Sequence, residues 1–264
     1  MTERIKKKFA ELKKQNRAGL VTYTMAYDKD YQTSLDILKN LPKAGADIIE
    51  LGMPFSDPMA DGPTIQEAAL RAFAAGAKLK GVLEIVEKFR KEDDKTPIIL
   101  MGYYNPLYNY GLEKFVVDAK RSGVDGLLIV DLPPEEDSEL YKITKSNNIA
   151  LIKLATPTTD EKRMAVIAKK ATGFIYYVAV AGVTGTKSAS YASIADAVKL
   201  IKKHSNLPVA VGFGIKSKED VQQVAKYADA VVVGSELIKQ ILSSYYNLNT
   251  ISGFVSNLAS GLKR

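Results

Sequence analysis

The stretch GLLIVDLPPEEDSELYKITKSNNIALIKL, residues 126–154, contains the pattern that decides the fold. It opens with an apolar run (126–130), continues through a polar loop into an amphipathic stretch (135–146), and ends in a second apolar run (150–154). Short, almost wholly apolar strands joined by a helix are typical of a parallel sheet that helices cover. These residues therefore predict a strand–helix–strand unit.

The same unit recurs along the chain. Six further apolar runs bring the total to eight, and they are residues 20–24, 48–51, 98–101, 174–178, 209–211 and 230–233. Eight such units in 264 residues predict an α/β fold, a single (β/α)8 TIM barrel that occupies residues 1–264. A doubly wound open sheet is the alternative, but no run ends in the Gly-x-Gly-x-x-Gly turn that such sheets use to bind dinucleotides.

The densest basic segment lies at residues 4–14. Ile5, Phe9 and Leu12 recur in it at helical spacing, which predicts an extra N-terminal helix docked on the barrel. A nucleic-acid arm would interleave aromatic residues with the basic ones, and elsewhere the net charge of +7 is spread over segments that also carry acids. We expect no nucleic-acid partner. No apolar run approaches the ~20 residues of a membrane span, so we expect no membrane contact and a cytoplasmic protein.

Two counts in the composition exclude much chemistry. The chain has no cysteine and one histidine, His204. Disulfides, thiolate zinc sites, iron–sulfur clusters and multi-histidine metal sites are therefore excluded, and we predict no metal. His204 follows Lys202 and Lys203 at the end of a helical pattern, which favours a solvated capping residue. Acid–base catalysis must then fall mainly to carboxylates, tyrosines or lysines.

Polar residues that directly follow the strands are the best catalytic candidates, because barrel active sites lie at the C-terminal ends of the strands. Glu50 lies inside the second apolar run, where burial raises the pKa of a carboxyl group. Such a group can take and give a proton near neutral pH; the alternative is a core glutamate in a salt bridge. Asp61 follows eleven residues later in a loop rich in Gly and Pro, either as a second catalytic carboxylate or as a helix cap. Asp57 is better explained as a turn-former.

Glycines after the last two strands predict a phosphate site. Gly212-Phe213-Gly214 follows the seventh run, and Gly234-Ser235 follows the eighth at the start of a helix. Backbone N–H groups can approach a phosphate there, and the helix N-terminus supplies partial positive charge. The polar loop at residues 182–188, after the sixth run, is a candidate lid or a source of further phosphate contacts.

Several segments together resemble one known family. ELGMPFSDPMADGPTIQ (residues 50–66) is the most specific match, and MGYYNP from Met101, DLPPEE from Asp131, GFIYYVAVAGVTGT from Gly173 and GFGI from Gly212 follow in the family's order at similar intervals. On these motifs nearly the whole chain resembles the tryptophan synthase alpha subunit. The resemblance implies a lyase that cleaves indole-3-glycerol phosphate to indole and glyceraldehyde 3-phosphate in tryptophan biosynthesis. It also implies no cofactor in this chain and a pyridoxal-phosphate-dependent beta subunit as partner, in an alpha2-beta2 heterotetramer.

The resemblance also implies roles for particular residues of this sequence. Glu50 takes the place of the general acid–base, and Asp61 that of the carboxylate that contacts the indole N–H. Tyr176 matches a pocket tyrosine on the sixth strand. Asn105-Pro106 would contact the partner together with Asp57; the alternative is that Asn105-Pro106 forms an ordinary turn. Three further sets are the phosphate-binding residues Gly185, Gly214, Gly234 and Ser235, the pocket residues Tyr23, Leu100 and Phe213, and the mobile-loop residues Asp57 and Thr184.

Two positions depart from the family's pattern. Residues 25–29 read Met-Ala-Tyr-Asp-Lys where the family has a Thr-Ala-Gly-Asp-Pro-like loop. Tyr27 in place of glycine loses easy access to positive φ and adds bulk near the expected indole pocket. If this spoils the isolated site, the chain would act chiefly as a binding and regulatory partner. Lys153 replaces an apolar residue, either as the Schiff-base lysine of a class I aldolase or, as we favour, as a lysine that snorkels between strand and outer helix.

Overall fold

Eight parallel strands form a closed barrel in a computed structural model that describes residues 3–179, 191–212 and 214–263. Each strand pairs with the next along the chain, and the last pairs with the first. The predicted (β/α)8 barrel is confirmed. The strands are β1 (Gly19–Met25), β2 (Ile48–Gly52), β3 (Ile98–Gly102), β4 (Gly126–Ile129), β5 (Ala150–Ala155), β6 (Ile175–Val178), β7 (Val209–Gly212) and β8 (Ala230–Val233).

A helix follows every strand, and the predicted N-terminal helix precedes β1. None of the described helices is both long and apolar enough to cross a membrane. The helices are α1 (Glu3–Lys14), α2 (Tyr31–Asn40), α3 (Pro63–Ala74), α4 (Leu79–Arg90), α5 (Tyr104–Tyr110), α6 (Leu112–Ser122), α7 (Ser138–Ser146), α8 (Glu161–Lys170), α9 (Tyr191–His204), α10 (Lys218–Ala225), α11 (Ser235–Ser243) and α12 (Leu248–Ala259).

Strand residues alternate between the barrel interior and the layer beneath the helices, because successive side chains point to opposite faces of a strand. The register aligns Tyr23 with Glu50 and Glu50 with Ile99, so these three side chains share one face. Ile99 belongs to a buried cluster that fills the interior, and Glu50 therefore points into the barrel. The other strand residues of this cluster include Val21, Ile48, Leu128, Ile152, Ala210 and Val232.

Helix α1 closes the N-terminal end of the barrel. Its buried residues Ile5, Phe9 and Leu12 join the interior cluster, as the helical spacing predicts. The ring of Phe9 lies 5.9 Å from that of Phe174, which directly precedes β6. The basic segment is thus part of the barrel core on one face.

The carboxylates at this end of the barrel are well partnered. Asp47 precedes β2 and accepts two bonds from the Arg17 guanidinium, at 2.7 and 2.8 Å. Asp125 precedes β4 and accepts bonds from Arg4 at 3.1 Å and Arg90 at 2.7 Å. Both aspartates are almost fully buried, so these contacts compensate charges that burial would otherwise make costly.

Candidate active site

Glu50 is a buried carboxyl group inside the barrel. Its residue is 1% exposed, and neither carboxyl oxygen has a hydrogen-bond partner among the described residues. Burial without a partner disfavours the charged form and raises the pKa of Glu50 to about 8. The alternative of a core glutamate held by a salt bridge has no support in the described part of the chain. Glu50 has the acidity that a group needs to give and take a proton near neutral pH.

Asp61 lies in the loop between β2 and α3, and Tyr103 orients it. The Tyr103 hydroxyl donates to Asp61 Oδ2 at 3.1 Å and accepts a bond from the Ala60 N–H at 3.0 Å. Partial burial raises the pKa of Asp61, while the bond from Tyr103 acts in the opposite direction. Glycine, not Asp61, occupies the N-cap of α3, so Asp61 is not the cap of that helix. Its side chain is available for a ligand.

Two tyrosines, Tyr23 and Tyr176, lie near enough to Glu50 for its charge to affect their pKa values. Burial raises the pKa of both phenols well above the usual value, and the charge of Glu50 adds to the rise in each case. The charge of Asp61 also raises the pKa of Tyr23. Tyr23 therefore lies within electrostatic reach of both carboxyl groups, and both phenols stay protonated as donors. Tyr176 aligns in register with Ala210 of the interior cluster, so it points inward as expected of a pocket residue.

Two glycines at the strand ends make room for these tyrosines. A Cβ atom at Gly52 would lie 2.2 Å from the Tyr23 hydroxyl oxygen, and one at Gly212 would lie 2.6 Å from that of Tyr176. Real Cβ atoms do not come so close to other atoms, so any side chain at either position would displace a tyrosine. The positions of both phenols thus depend on glycine.

The glycines predicted to bind phosphate lie at the ends of two neighbouring strands. Gly214 follows β7 with φ of +66° and has open space where a side chain would be. Gly234 is the N-cap of α11, which starts at Ser235, and as a glycine it offers no side chain to cap that end. Because β7 and β8 pair, these residues lie at one edge of the barrel mouth. The arrangement suits an anion.

Three predicted residues and one loop cannot be placed. Thr184, Gly185 and Phe213 lie outside the described residues, as does the whole loop at 182–188. Asp57 is described and exposed, and it accepts a hydrogen bond from the Ser56 hydroxyl at 2.6 Å. This contact fits a turn; the assignment of Asp57 to a mobile loop stays a prediction.

The prediction that Leu100 lines the pocket is wrong. Leu100 aligns with Leu51 and Leu127, and all three are buried in the layer between strands and helices. The next residue, Met101, faces the interior and is only partly buried. A one-residue error in a strand moves a side chain to the opposite face, which is why Met101 takes the expected place.

Tyr103 is a site residue that the sequence analysis missed. It follows β3 by one residue and is 3% exposed. Its ring lies 5.1 Å from that of Phe55 in the Asp61 loop. The alternation through Ile99 and Met101, continued by two residues, predicts an inward Tyr103 and could have found it.

Tyr27 does not crowd the pocket. It adopts φ of +65° although it is not glycine, and its ring packs at 5.4 Å against Tyr31 of α2. A Cβ atom at Gly81 of α4 would meet its hydroxyl, so Tyr27 lies among the outer helices. The adjacent Asp28 is 2% exposed and binds Arg71 at 2.6 and 3.0 Å. The altered loop is firmly anchored, which removes the reason to expect a damaged site.

Lys153 faces outward. Its neighbours Ile152 and Leu154 point into the barrel, and the Lys153 ammonium lies 2.6 Å from Asp137 Oδ2 behind the strand. The position between strand and outer helix agrees with our preference, but the snorkelling is wrong, because Lys153 is only 5% exposed. A Schiff base with a substrate inside the barrel is excluded by this direction.

His204 is the last residue of α9, at the end of the barrel opposite Glu50. Its Nε2 atom lies 3.3 Å from a carboxylate oxygen of Glu161, a surface contact in agreement with a capping residue. Within residues 3–179, 191–212 and 214–263, no three His, Asp or Glu side chains come together in a way that could hold a metal ion.

Comparison with known proteins gives the family. A family model described as the tryptophan synthase alpha chain matches residues 9–260. A protein of Aquifex aeolicus VF5 is 40% identical over 100% of both chains, with a TM-score of 0.92. The tryptophan synthase alpha subunit of Legionella pneumophila str. Paris is 38% identical over 99% of this chain and 98% of that one, with a TM-score of 0.91. An aminoacrylate-bound tryptophan synthase of M. tuberculosis is 31% identical over 99% of both chains, with a TM-score of 0.89.

The match covers both parts of the site described above. It includes the strand that carries Glu50, the loop that carries Asp61 and the glycines after β7 and β8. The chain therefore belongs to the tryptophan synthase alpha chain family.

Proposed function

We propose that Glu50 and Asp61 carry out the lyase reaction of this family, the cleavage of indole-3-glycerol phosphate to indole and glyceraldehyde 3-phosphate. The observation that carries the proposal is the state of Glu50, which is buried, unpartnered among the described residues, and has a pKa of about 8. Burying a polar group without a hydrogen bond costs stability. A carboxyl group kept in that state at the active end of a barrel is typical of a group retained for chemistry.

The proton on Glu50 starts the proposed reaction. Because its pKa lies above 7, Glu50 is mostly protonated at neutral pH and can donate a proton to C3 of the indole ring. The resulting carboxylate then accepts the proton of the hydroxyl group on the adjacent glycerol carbon. The bond between that carbon and C3 breaks, its electron pair returns to the ring, and the glycerol carbon leaves as an aldehyde. Glu50 ends protonated, as it began.

Asp61 supports this step through charge. Protonation at C3 places positive charge on the ring, and this charge reaches the indole N–H. An ionised Asp61 that accepts a hydrogen bond from that N–H would stabilise the charge as it develops. The bond from Tyr103 favours the ionised form of Asp61, and so supports the division of tasks between the two carboxyl groups.

The substrate's phosphate is assigned to the glycine edge of the barrel. Gly214 offers open space, and the N-terminus of α11 at Gly234 and Ser235 offers N–H groups. A Cβ atom at Gly234 would lie 3.7 Å from Cβ of Tyr23, so this edge adjoins the aromatic part of the site. Gly185 remains a predicted phosphate-binding residue, Thr184 a predicted mobile-loop residue and Phe213 a predicted pocket residue.

The partner is proposed to be a beta subunit that contains pyridoxal phosphate, in an alpha2-beta2 heterotetramer in the cytoplasm, with no cofactor in this chain. Membership of the family supports a partner of this kind. Met59 is 67% exposed and Tyr108 is 64% exposed, close in sequence to the expected contacts Asp57 and Asn105. We assign these two exposed side chains to the partner contact that the family implies.

The assay is indole release from indole-3-glycerol phosphate, by the chain alone and with a beta subunit. We expect release by the isolated chain, a higher rate with the beta subunit, and co-elution of the two in gel filtration. Asp61→Asn keeps the side chain's shape but removes its charge, and we expect kcat to fall about 100-fold, the usual effect of losing one electrostatic contact. Asp196→Asn, on the exposed face of α9, is the matched control and should keep full turnover.

Each outcome bears on one part of the proposal. No indole from the wild-type chain, alone or with the beta subunit, would overturn the reaction. Wild-type turnover in Asp61→Asn would overturn the role of that carboxylate only. Activity that exists solely in the complex would support the alternative in which the chain is mainly a binding and regulatory partner, and the absence of a complex would refute the proposed partner.

A further inference from the structure

A buried ion cluster outside the barrel has no role in the reaction described above. The Lys153 ammonium lies 2.6 Å from Asp137 Oδ2, and that of Lys170 lies 3.0 Å from Oδ1. Asp137 is fully buried, and Lys153 is 5% exposed. Apolar side chains of the same size often stabilise a fold as well as a buried ion pair does, so stability alone does not account for the cluster.

Lys153 joins two parts of the connection between β4 and α7 to strand β5. Asp137 is the N-cap residue of α7, at the far end of that connection. The Lys153 ammonium also donates to the backbone carbonyl of Leu132, near its beginning, at 3.5 Å. Lys170, by contrast, contacts Asp137, and within the described part of the chain its ammonium makes no hydrogen bond to Leu132. Of the two lysines, Lys153 is therefore the one that holds the start of the loop.

The residue before Leu132 reaches toward the active site. Asp131 accepts a hydrogen bond from the Tyr104 N–H at 2.8 Å, at the first residue of α5. The preceding residue, Tyr103, donates its hydroxyl to Asp61 at 3.1 Å. A continuous series of contacts thus runs from Lys153 through the β4–α7 loop and the start of α5 to Asp61.

We propose that Lys153 is a positioning residue for the lyase reaction: it fixes the β4–α7 loop so that Asp131 holds the start of α5 and the Tyr103 hydroxyl stays at Asp61. The proposal rests on the proposed function of Asp61. An apolar residue at position 153 could fill the same space, but it could bind neither Asp137 nor the Leu132 carbonyl. The charged side chain of Lys153 therefore fixes the position of the Asp61 carboxylate from outside the barrel.

The test uses Lys153→Met, which keeps an unbranched side chain one atom shorter than lysine and removes the ammonium. We expect kcat for indole release to fall about tenfold while KM changes by less than about twofold, because small displacements at a reacting centre affect turnover strongly. The acid limb of the pH–rate profile should move to higher pH, since loss of the Tyr103 bond raises the pKa of Asp61. Lys170→Met is the matched control; it should keep kcat and the pH profile even where it lowers Tm.

A double-variant comparison separates positioning from folding. Tyr103→Phe removes the last contact of the series, so adding Lys153→Met to it should shift the acid limb no further. A further shift, or a folded Lys153→Met with wild-type kcat and pH profile, would overturn the proposal. If Lys153→Met does not fold, the pair Lys153→Met and Asp137→Asn removes the uncompensated charge and carries the same expectations.

One readout is independent of turnover. With tyrosines labelled by ¹³C at Cζ, the Tyr103 signal should move in Lys153→Met and stay in place in Lys170→Met. If the wild-type chain releases no indole, the proposed function fails, and the Tyr103 signal alone tests the positioning role of Lys153. An unchanged Tyr103 signal in folded Lys153→Met would then overturn the positioning role.

Discussion

Buried carboxyl groups have opposite surroundings at the two ends of the barrel. At the N-terminal end, Asp125 accepts bonds from Arg4, from Arg90 and from the backbone N–H of Ile98 at 3.0 Å. Toward the other end, at the centre of β2, Glu50 is equally buried and has no partner among the described residues. The same chemical group is thus paired with arginines at one end, and left unpaired and mostly protonated at the other.

This difference shows how the fold separates stability from chemistry along the barrel axis. Paired aspartates and α1 stabilise one end, while the other end tolerates a carboxyl group whose burial costs free energy. The barrel stays folded despite this unfavourable free energy because both ends pack around one hydrophobic core. A substitution of the unpaired carboxyl group should therefore reduce turnover and leave the fold intact. A substitution of a paired one should reduce stability and leave turnover unchanged.

The largest effect is expected from Glu50→Gln. Loss of a general acid–base group should reduce kcat by about 100- to 10,000-fold, with the fold intact. The folded wild type binds a proton that the unfolded chain has released between the ordinary pKa of glutamate, 4.5, and about 8. Over this window its free energy of unfolding should therefore fall, relative to the variant, by up to about 1.4 kcal/mol per pH unit.

Urea unfolding from pH 4 to 9 measures that fall in stability. The stabilising effect of the proton is complete below pH 4.5 and is lost as the pH rises through 8. Parallel stability curves for wild type and Glu50→Gln would show that Glu50 titrates normally, and would remove the basis for its role as a proton donor.

At the other end, Asp125→Asn should leave chemistry alone and damage the fold. The Arg90 side chain is 10% exposed and would lose its charged partner, at a cost of about 3–5 kcal/mol in unfolding free energy. At a temperature where the variant is folded, kcat should equal that of the wild type. Asp196→Asn serves as the control for both measurements. A kcat that falls with stability intact would contradict the separation of the two ends.

A smaller effect is expected from Gly212→Ala. The new Cβ would lie 2.6 Å from the Tyr176 hydroxyl oxygen and push the ring out of place, so kcat/KM should fall about tenfold. The alanine should cost less in a Tyr176→Phe background, because the closest ring atom then lies 3.1 Å away. Equal costs in the two backgrounds would show that the glycine acts through the backbone and not through Tyr176.

The smallest effect is expected from His204→Gln. His204 and Glu161 form a surface contact, and such pairs contribute little, so the free energy of unfolding should change by less than about 0.5 kcal/mol. The pH–rate profile between pH 5 and 8 should be unchanged, because His204 lies at the end of the barrel opposite Glu50. An altered profile would mean that a change at the N-terminal end affects the active site.

Regular alternation explains what could be predicted from the sequence. The apolar runs and the helical patterns between them are local, and they were enough to predict the barrel and a buried Glu50 in its second strand. The same alternation places Met101 and Tyr103 inward and Leu100 outward. The prediction of Leu100 as a pocket residue was therefore displaced by one residue along the strand. The contact of Tyr103 with Asp61 still required the structure, since 42 residues separate them.

Other features depend on contacts between distant segments. Tyr27 adopts a backbone angle that favours glycine, and local preference alone argues against it. Packing on Tyr31 and Gly81 makes up for the strain, and no local pattern reveals those neighbours. Lys153 is similar, because its partner Asp137 lies sixteen residues earlier, at the end of the connection between β4 and α7.

The pairing of β1 with β8 has a consequence during synthesis. The strand made first finds its second neighbour only when the strand made last has left the ribosome. Roughly 200 residues lie between them, a delay on the order of 10 to 40 s at about 5–20 residues per second. Throughout that time one side of β1 offers unpaired N–H and C=O groups to any other extended chain nearby. The closure that leaves the finished barrel without a sheet edge also gives the nascent chain an exposed edge for most of its synthesis.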